Sequence, residues 1–311
     1  MIEIGHGVGL GASSKGYGTA TETDQTYLKV GADTFRKSRW GMFCIPGIAE
    51  LKDIDMAADH GMSFIRIGTN VTEVEDSKKF IEKAKKHDMY VSANFMKSYA
   101  MDPKEFAQQA LVTREFGTDI LCIVDSAGGM LTNEMEDYFY AIQDVCDIPL
   151  GYHGHNNLEL AVSNSIRAFE LGAVVVDTSL QGLGRSSGNT PTEIFISVME
   201  RKGVQMGFDP LEVMDIGEKY IKPLIKKRGY TSIDTITGYA QFHSSYMGII
   251  REYSNKYNID PRKLIIKLCE ENKVDAPRDM VERIADKLSR ESVEFFTDRY
   301  RMDKYYGDEQ S

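Results

Sequence analysis

Over the first two thirds of the chain, short apolar runs alternate with amphipathic stretches. The runs predict strands at Ile2–Gly5, Gly41–Ile45, Phe64–Gly68, Tyr90–Phe95, Ile120–Asp125, Pro149–His153 and Val174–Ser179. Helical periodicity between them predicts helices over Ile48–His60, Ser77–His87, Pro103–Phe116, Glu134–Val145 and Leu158–Leu171, with another around Glu193–Met199. In the fifth of these, Ala161, Val162, Ser165, Ile166 and Phe169 share one face. Strands alternating with helices at this spacing predict βαβ units and a parallel sheet. Ala12 to Thr23 is polar, Gly-rich and poor in helix formers, so a long loop is expected there. From Asp209 the pattern turns all-helical. It predicts helices over Pro210–Lys226 and Thr235–Tyr257, the latter with Asp234 as N-cap. A third runs from Asp260-Pro261 to Lys273, with the Asp as cap and the Pro at the first position, and Asp279–Leu288 follows. The charged, aromatic tail Tyr300–Ser311 is expected to be loose. Two domains are expected, 1–208 and 209–311.

Seven strands fall one short of the eight that a closed parallel barrel needs. The first run, Met1 to Gly5, has no turn, cap or helix before it. The expectation is a (β/α)8 TIM barrel with the first strand-helix unit missing, followed by a C-terminal helical domain. A doubly wound open sheet is the alternative, and Gly7-Val8-Gly9-Leu10-Gly11 superficially offers its phosphate loop. The polar residues after it argue against a helix N-terminus there.

Composition narrows the classes. Hydrophobic residues make up 42% and charged ones 27%, as in globular proteins, and 311 residues can bury a large core. With 37 basic and 47 acidic residues the net charge is −10, which argues against nucleic acid or an anionic membrane as partner. The four cysteines are far apart, without a Cys-x-x-Cys pair, which suits a reducing, cytoplasmic setting. No apolar run is long enough for a membrane span and no signal pattern opens the chain.

The most informative chemistry is His153-Gly154-His155. Side chains alternate along a strand, so both imidazoles point to the same side. Two neutral imidazoles converging at a strand end are half of a divalent-metal site. An isolated His-x-His is more often a hydrogen-bonded loop pair; the following Asn156-Asn157 and the β/α architecture reverse that preference. In a parallel barrel the other strand ends contribute too. They carry Glu3, His6, Arg66, Thr69, Asn70, Asn94, Lys97, Asp125, Ser126, Asp177 and Ser179, with Asn189 in the Gly-rich loop after the last strand. Such a set suits polarising a 2-oxo acid and stabilising the enolate next to it.

These residues resemble a family. The stretches Ile2–Tyr17, Ile45-Pro46-Gly47, Arg66–Glu73, Asp125-Ser-Ala-Gly128, His153-Gly-His-Asn-Asn157, Gly182–Glu193 and Gly238–Ser245 are similar, in order, to the 4-hydroxy-2-oxovalerate aldolases. Those belong to the TIM-barrel metallolyases that include hydroxymethylglutaryl-CoA lyase and isopropylmalate synthase. The resemblance runs from Ile2 to about Leu288. It implies a class II cleavage of a 4-hydroxy-2-oxo acid to pyruvate and an aldehyde, a step of aromatic-compound breakdown. His153 and His155 would be metal ligands, for manganese first and magnesium or cobalt as alternatives. Ser126 would hold the pyruvate carboxylate, Asn189 would come near the metal, and Glu3 would orient an active-site arginine. His6 and Arg66 complete the expected substrate-binding set. The helical region would dock an acylating aldehyde dehydrogenase, and a homo-oligomer is expected.

Two departures matter. The family's first strand carries an Arg-Asp pair, the Asp being a third metal ligand, and its unit supplies a histidine base; the chain starts at the second strand. The family's tyrosine proton donor aligns with His243, which can also exchange protons near neutral pH. The chain is therefore expected to bind metal weakly and to be impaired as an aldolase. The other readings are a non-catalytic barrel serving as a partner protein, and a synthase condensing an acyl-CoA with a 2-oxo acid.

Overall fold

The computed structural model describes residues 1–225 and 231–290; the tail Tyr300–Ser311 and Lys226 lie outside them. The elements run β1 (Ile2–Glu3), α1 (Asp24–Thr34), β2 (Trp40–Cys44), α2 (Leu51–Asp59), β3 (Phe64–Asn70), α3 (Lys78–Lys85), β4 (Tyr90–Met96), α4 (Pro103–Glu115), β5 (Ile120–Asp125), α5 (Thr132–Gln143), β6 (Leu150–Gly154), α6 (Ala161–Glu170), β7 (Val175–Val176) and α7 (Thr192–Arg201). Then come α8 (Pro210–Ile216), α9 (Ser232–Ala240), α10 (Met247–Lys256), α11 (Pro261–Glu271) and α12 (Arg278–Arg290).

All seven strands fall where the apolar runs place them. They form one parallel seven-stranded sheet in chain order. Gly41 faces Phe64 and Ile67 faces Ala93 in the ladders. Gly41 is required by that approach, because a Cβ there would stand 2.0 Å from the Phe64 carbonyl oxygen. A strand order that advances by one each time differs from the doubly wound alternative, whose order reverses at a switch point. All six residues of β5 are buried, as expected for a parallel strand covered on both faces.

Contacts group the chain into two compact units. One holds Met1–Val124, Glu136–Tyr152 and Leu171–Val175; the other holds Asp125–Met135, His153–Glu170 and the chain from Val176 onward. The second unit contains an apolar cluster built by α9 to α12, with Ile233, Met247, Ile250, Leu264, Leu268 and Ile284 at its centre. Along α11, burial at positions 261, 264, 265 and 268 gives the i, i+3, i+4, i+7 stripe. Asp260 caps that helix as expected, accepting from the Arg262 amide at 2.9 Å.

Four features differ from the expectations. Helix α1 was not legible, because its buried face is only Leu28 and Gly31. Gly31 fits under the Trp40 ring, where a Cβ would come within 2.6 Å. The predicted helix Thr235–Tyr257 is broken: α9 ends at Gln241 in left-handed conformation (φ 57°), and a 3-10 turn over Ser244–Tyr246 precedes α10. Asp234 is not the N-cap. Thr231 is, and Asp234 closes its capping box from the third helical position. The stretch after Pro210 likewise passes from α8 through a π turn (Gly217–Ile221) to a 3-10 turn (Lys222–Leu224).

Candidate active site

The two histidines lie at the end of β6 and just beyond it, in the second unit. Their rings are 5.1 Å apart and near perpendicular, at 73°. Asp177 follows β7, and its Oδ2 lies 3.1 Å from His153 Nδ1. A carboxylate there accepts a hydrogen bond from Nδ1–H and turns the Nε2 lone pair outward, the arrangement that orients metal-ligating histidines. His155 is buried, its Nδ1 without a hydrogen bond and its Nε2 3.4 Å from Arg185 Nη2. Burial, then the Arg185 guanidinium and then His153, hold its pKa well below the usual histidine range. The ring is thus the neutral form that ligates a cation. These observations fit two nitrogens of a divalent-metal site. Among the described residues, no group of three or more His, Cys, Asp and Glu side chains is arranged to hold a metal.

Two loops fix the pair. The His155 amide donates to the Asp125 carbonyl (3.2 Å) and the Leu158 amide to the Gly128 carbonyl (2.9 Å). On the other side the Asn156 amide donates to the Gly188 carbonyl, and His155 forms a bridge with Asn189. The Asp125 side chain ties the turn after β5 together, accepting from the amides of Gly129 and Met130. Its burial outweighs those donations and pushes the carboxyl up from 3.8 to about 6. The native state therefore binds this proton more tightly than the unfolded chain, and its contribution to stability falls as pH rises from about 4 to about 6. The change is on the order of 3 kcal/mol at full burial. Urea unfolding at pH 4 and pH 7 should show a smaller wild-type advantage over Asp125→Asn at the higher pH; a constant difference would contradict the assignment.

Ser126 is buried in that turn. The Asn189 side-chain nitrogen donates to the Leu183 carbonyl (3.1 Å), and Gly184 packs against its amide. His243 is buried, but it does not lie inside a helix, as the expected helix Thr235–Tyr257 would have placed it. It caps the 3-10 turn, with Nδ1 2.6 Å from Ser245 Oγ. In the first unit, Glu3 forms an ion pair with Arg66 at 3.0 Å, and Arg66 lies over the Phe43 ring. With the Asn94 amide oriented for its partners, its oxygen accepts from Arg66 Nη2 (2.9 Å). His6 Nδ1 accepts from the Val8 amide within its own loop. The structure thus brings together His153, His155 and Asn189 in one unit, and Glu3 and Arg66 in the other. Asp177 entered the sequence reading only as a strand-end candidate, and Arg185 was missed; its one signal is a cation inside a Gly-rich loop.

The HMGL-like family model matches residues 1–219, which span all seven strands and the paired imidazoles. Within it the chain belongs to the 4-hydroxy-2-oxovalerate aldolase family. It is 34% identical over 290 residues to the 4-hydroxy-2-oxovalerate aldolase of Geobacillus genomosp. 3, covering 93% of this chain and 86% of that protein. It is 32% identical over 294 residues to 4-hydroxy-2-oxovalerate aldolase 2 of Rhodococcus jostii (strain RHA1), covering 94% and 86%. Among solved structures, the carboxyl transferase domain of Rhizobium etli pyruvate carboxylase, determined with pyruvate, is similar in fold. The TM-score is 0.72 at 14% identity, over 90% of this chain and 53% of that one.

Proposed function

We propose that this chain cleaves a 4-hydroxy-2-oxo acid to pyruvate and an aldehyde, with His153 and His155 as ligands of a divalent metal, manganese in the first place. The family is divalent-metal-dependent. The observation that carries the reading for this chain is the Asp177–His153 contact beside a buried neutral His155. When bound, the metal supplies Lewis-acid polarisation of the 2-oxo group. A base takes the 4-hydroxyl proton, the C3–C4 bond breaks to release the aldehyde, and the electron pair of that bond passes into a pyruvate enolate. Ser126 holds the carboxylate, Asn189 lines the metal side, and His6 and Arg66 bind substrate, Arg66 being held by Glu3. In this reading His243 returns a proton to C3; Ser245 engages its Nδ1.

Residues 1–208 are the TIM-barrel domain in this reading and 209–311 the helical domain. An acylating aldehyde dehydrogenase bound through the helical domain would take up the aldehyde, and the working form is a homo-oligomer. A cytoplasmic location suits the four free, buried cysteines. Among the described residues no helix is long and apolar enough to cross a membrane.

Two tests bear on the roles. Asp177→Asn should weaken manganese binding about 10–100-fold, the usual cost of losing an outer partner of a ligating histidine. Titration calorimetry reads this, and an unchanged affinity would remove Asp177 from the site. For the acid, His243→Phe should abolish deuterium exchange into C3 of pyruvate while leaving manganese affinity within about twofold. Exchange at the wild-type rate would place the acid elsewhere. The function itself is tested by chelation: pyruvate formation from 4-hydroxy-2-oxovalerate should stop with a chelator and return with manganese.

A further inference from the structure

We propose that Asn157 is a positioning residue for the His153–His155 pair, a role that rests on the metal reading above: its amide ties the loop bearing the pair to helix α9 and to the glycine-rich loop. Asn157 is 3% exposed. Its Nδ2 lies 2.7 Å from Ser186 Oγ and 2.7 Å from Thr237 Oγ1. Both hydroxyl protons are already committed. Ser186 donates to Asp234 Oδ1 at 3.0 Å, and Thr237 donates to the Asp234 carbonyl at 2.7 Å. The two hydroxyls can therefore only accept from Asn157, which fixes the amide's orientation. Asp234 is itself 1% exposed, and its Oδ2 accepts from the amide and the hydroxyl of Thr231. The result is a directed network from one amide, through two hydroxyls, to one carboxylate residue.

The amide oxygen argues that this network serves position rather than filling. Asn157 Oδ1 is buried without a hydrogen bond and faces Gly128, where a Cβ would come within 2.8 Å. A buried acceptor left unmet costs about 1–3 kcal/mol, which an apolar side chain of the same size would not incur. What the amide does is hold three segments at one point. Asn157 is two residues from His155, and the neighbouring Asn156 amide already donates to Gly188 in the glycine-rich loop. Ser186, held in left-handed conformation at φ 56°, follows Arg185, whose guanidinium faces His155 Nε2. Thr237 and Asp234 belong to α9, so a helix far along the chain becomes part of the frame around the pair.

The test is manganese(II) titration calorimetry with thermal unfolding on the same samples. Asn157→Leu keeps the volume and removes the donors; it should weaken manganese binding about 10–100-fold, as outer-shell losses do. Thr237→Val should weaken it about threefold or more, and Thr237→Ser, which keeps the acceptor, should stay within about twofold of wild type. A merely structural role would lower the unfolding temperature of both Asn157→Leu and Thr237→Val and leave the affinity of the folded protein unchanged, overturning the proposal. His153→Ala separates the two ideas. If it abolishes binding while Asn157→Leu does not weaken it, the positioning role alone fails. If the wild type binds no manganese, or His153→Ala binds normally, the metal reading fails and the positioning role with it.

Discussion

His155→Ala is expected to abolish manganese-dependent pyruvate formation, with a loss well above the 10–100-fold that removal of an outer partner causes. Burial, the Arg185 guanidinium and His153 hold this imidazole's pKa well below the usual range, which favours the neutral, ligating form. The second imidazole alone binds a divalent ion far more weakly than the pair. The substitution also opens a cavity and removes the contact with Arg185, so some destabilisation will accompany it. His155→Gln separates the two effects, since it retains bulk and polar atoms without the imidazole. Both variants should remain folded by circular dichroism and both should fail in a coupled pyruvate assay. Turnover at the wild-type level in either would take His155 out of the site.

Gly129→Ala is expected to destabilise the second unit strongly. Its Cβ would stand 2.0 Å from the Gly238 carbonyl oxygen, 2.8 Å from its carbonyl carbon and 3.1 Å from its Cα. All three belong to the backbone of α9, so no side chain can swing away. Gly238 is similarly confined, with Leu158 Cγ 2.9 Å and Asn157 Cβ 3.1 Å from where its own Cβ would lie. Two glycines thus let the turn after β5 and helix α9 meet backbone to backbone. Separating them should cost on the order of 3 kcal/mol or more, the upper range for overpacking. At roughly 2–4 °C per kcal/mol for a chain of this size, the unfolding temperature should fall by about 10 °C. Gly248→Ala is the control: it lies in α10 with nothing within 4 Å of its Cβ, and should stabilise by up to about 1 kcal/mol. Equal unfolding temperatures for Gly129→Ala and wild type would show that α9 does not press on this turn.

The strands were legible because a parallel strand buried on both faces is a continuous apolar run, as Ile120–Asp125 shows. Helix α1 was not, because its inward face is one leucine and one glycine, and the glycine matters only through Trp40. The break after α9 leaves no mark in the sequence, because Gln241 adopts the left-handed conformation that glycine would have advertised. At the site, the His-x-His spacing was enough to point both rings one way. What spacing could not supply were the partners. His153 meets Asp177 across 24 residues, His155 meets Arg185 across 30, and Asn157 meets Thr237 across 80. Such pairings depend on how distant segments pack, and no local pattern encodes them.

The most direct test of the central claim is product analysis with 4-hydroxy-2-oxovalerate as substrate, comparing wild type with His153→Ala. Equal amounts of pyruvate and the corresponding aldehyde, formed by wild type only when divalent metal is supplied and not formed by His153→Ala, are the result predicted. Metal-independent cleavage, or cleavage by His153→Ala at the wild-type rate, would contradict the account.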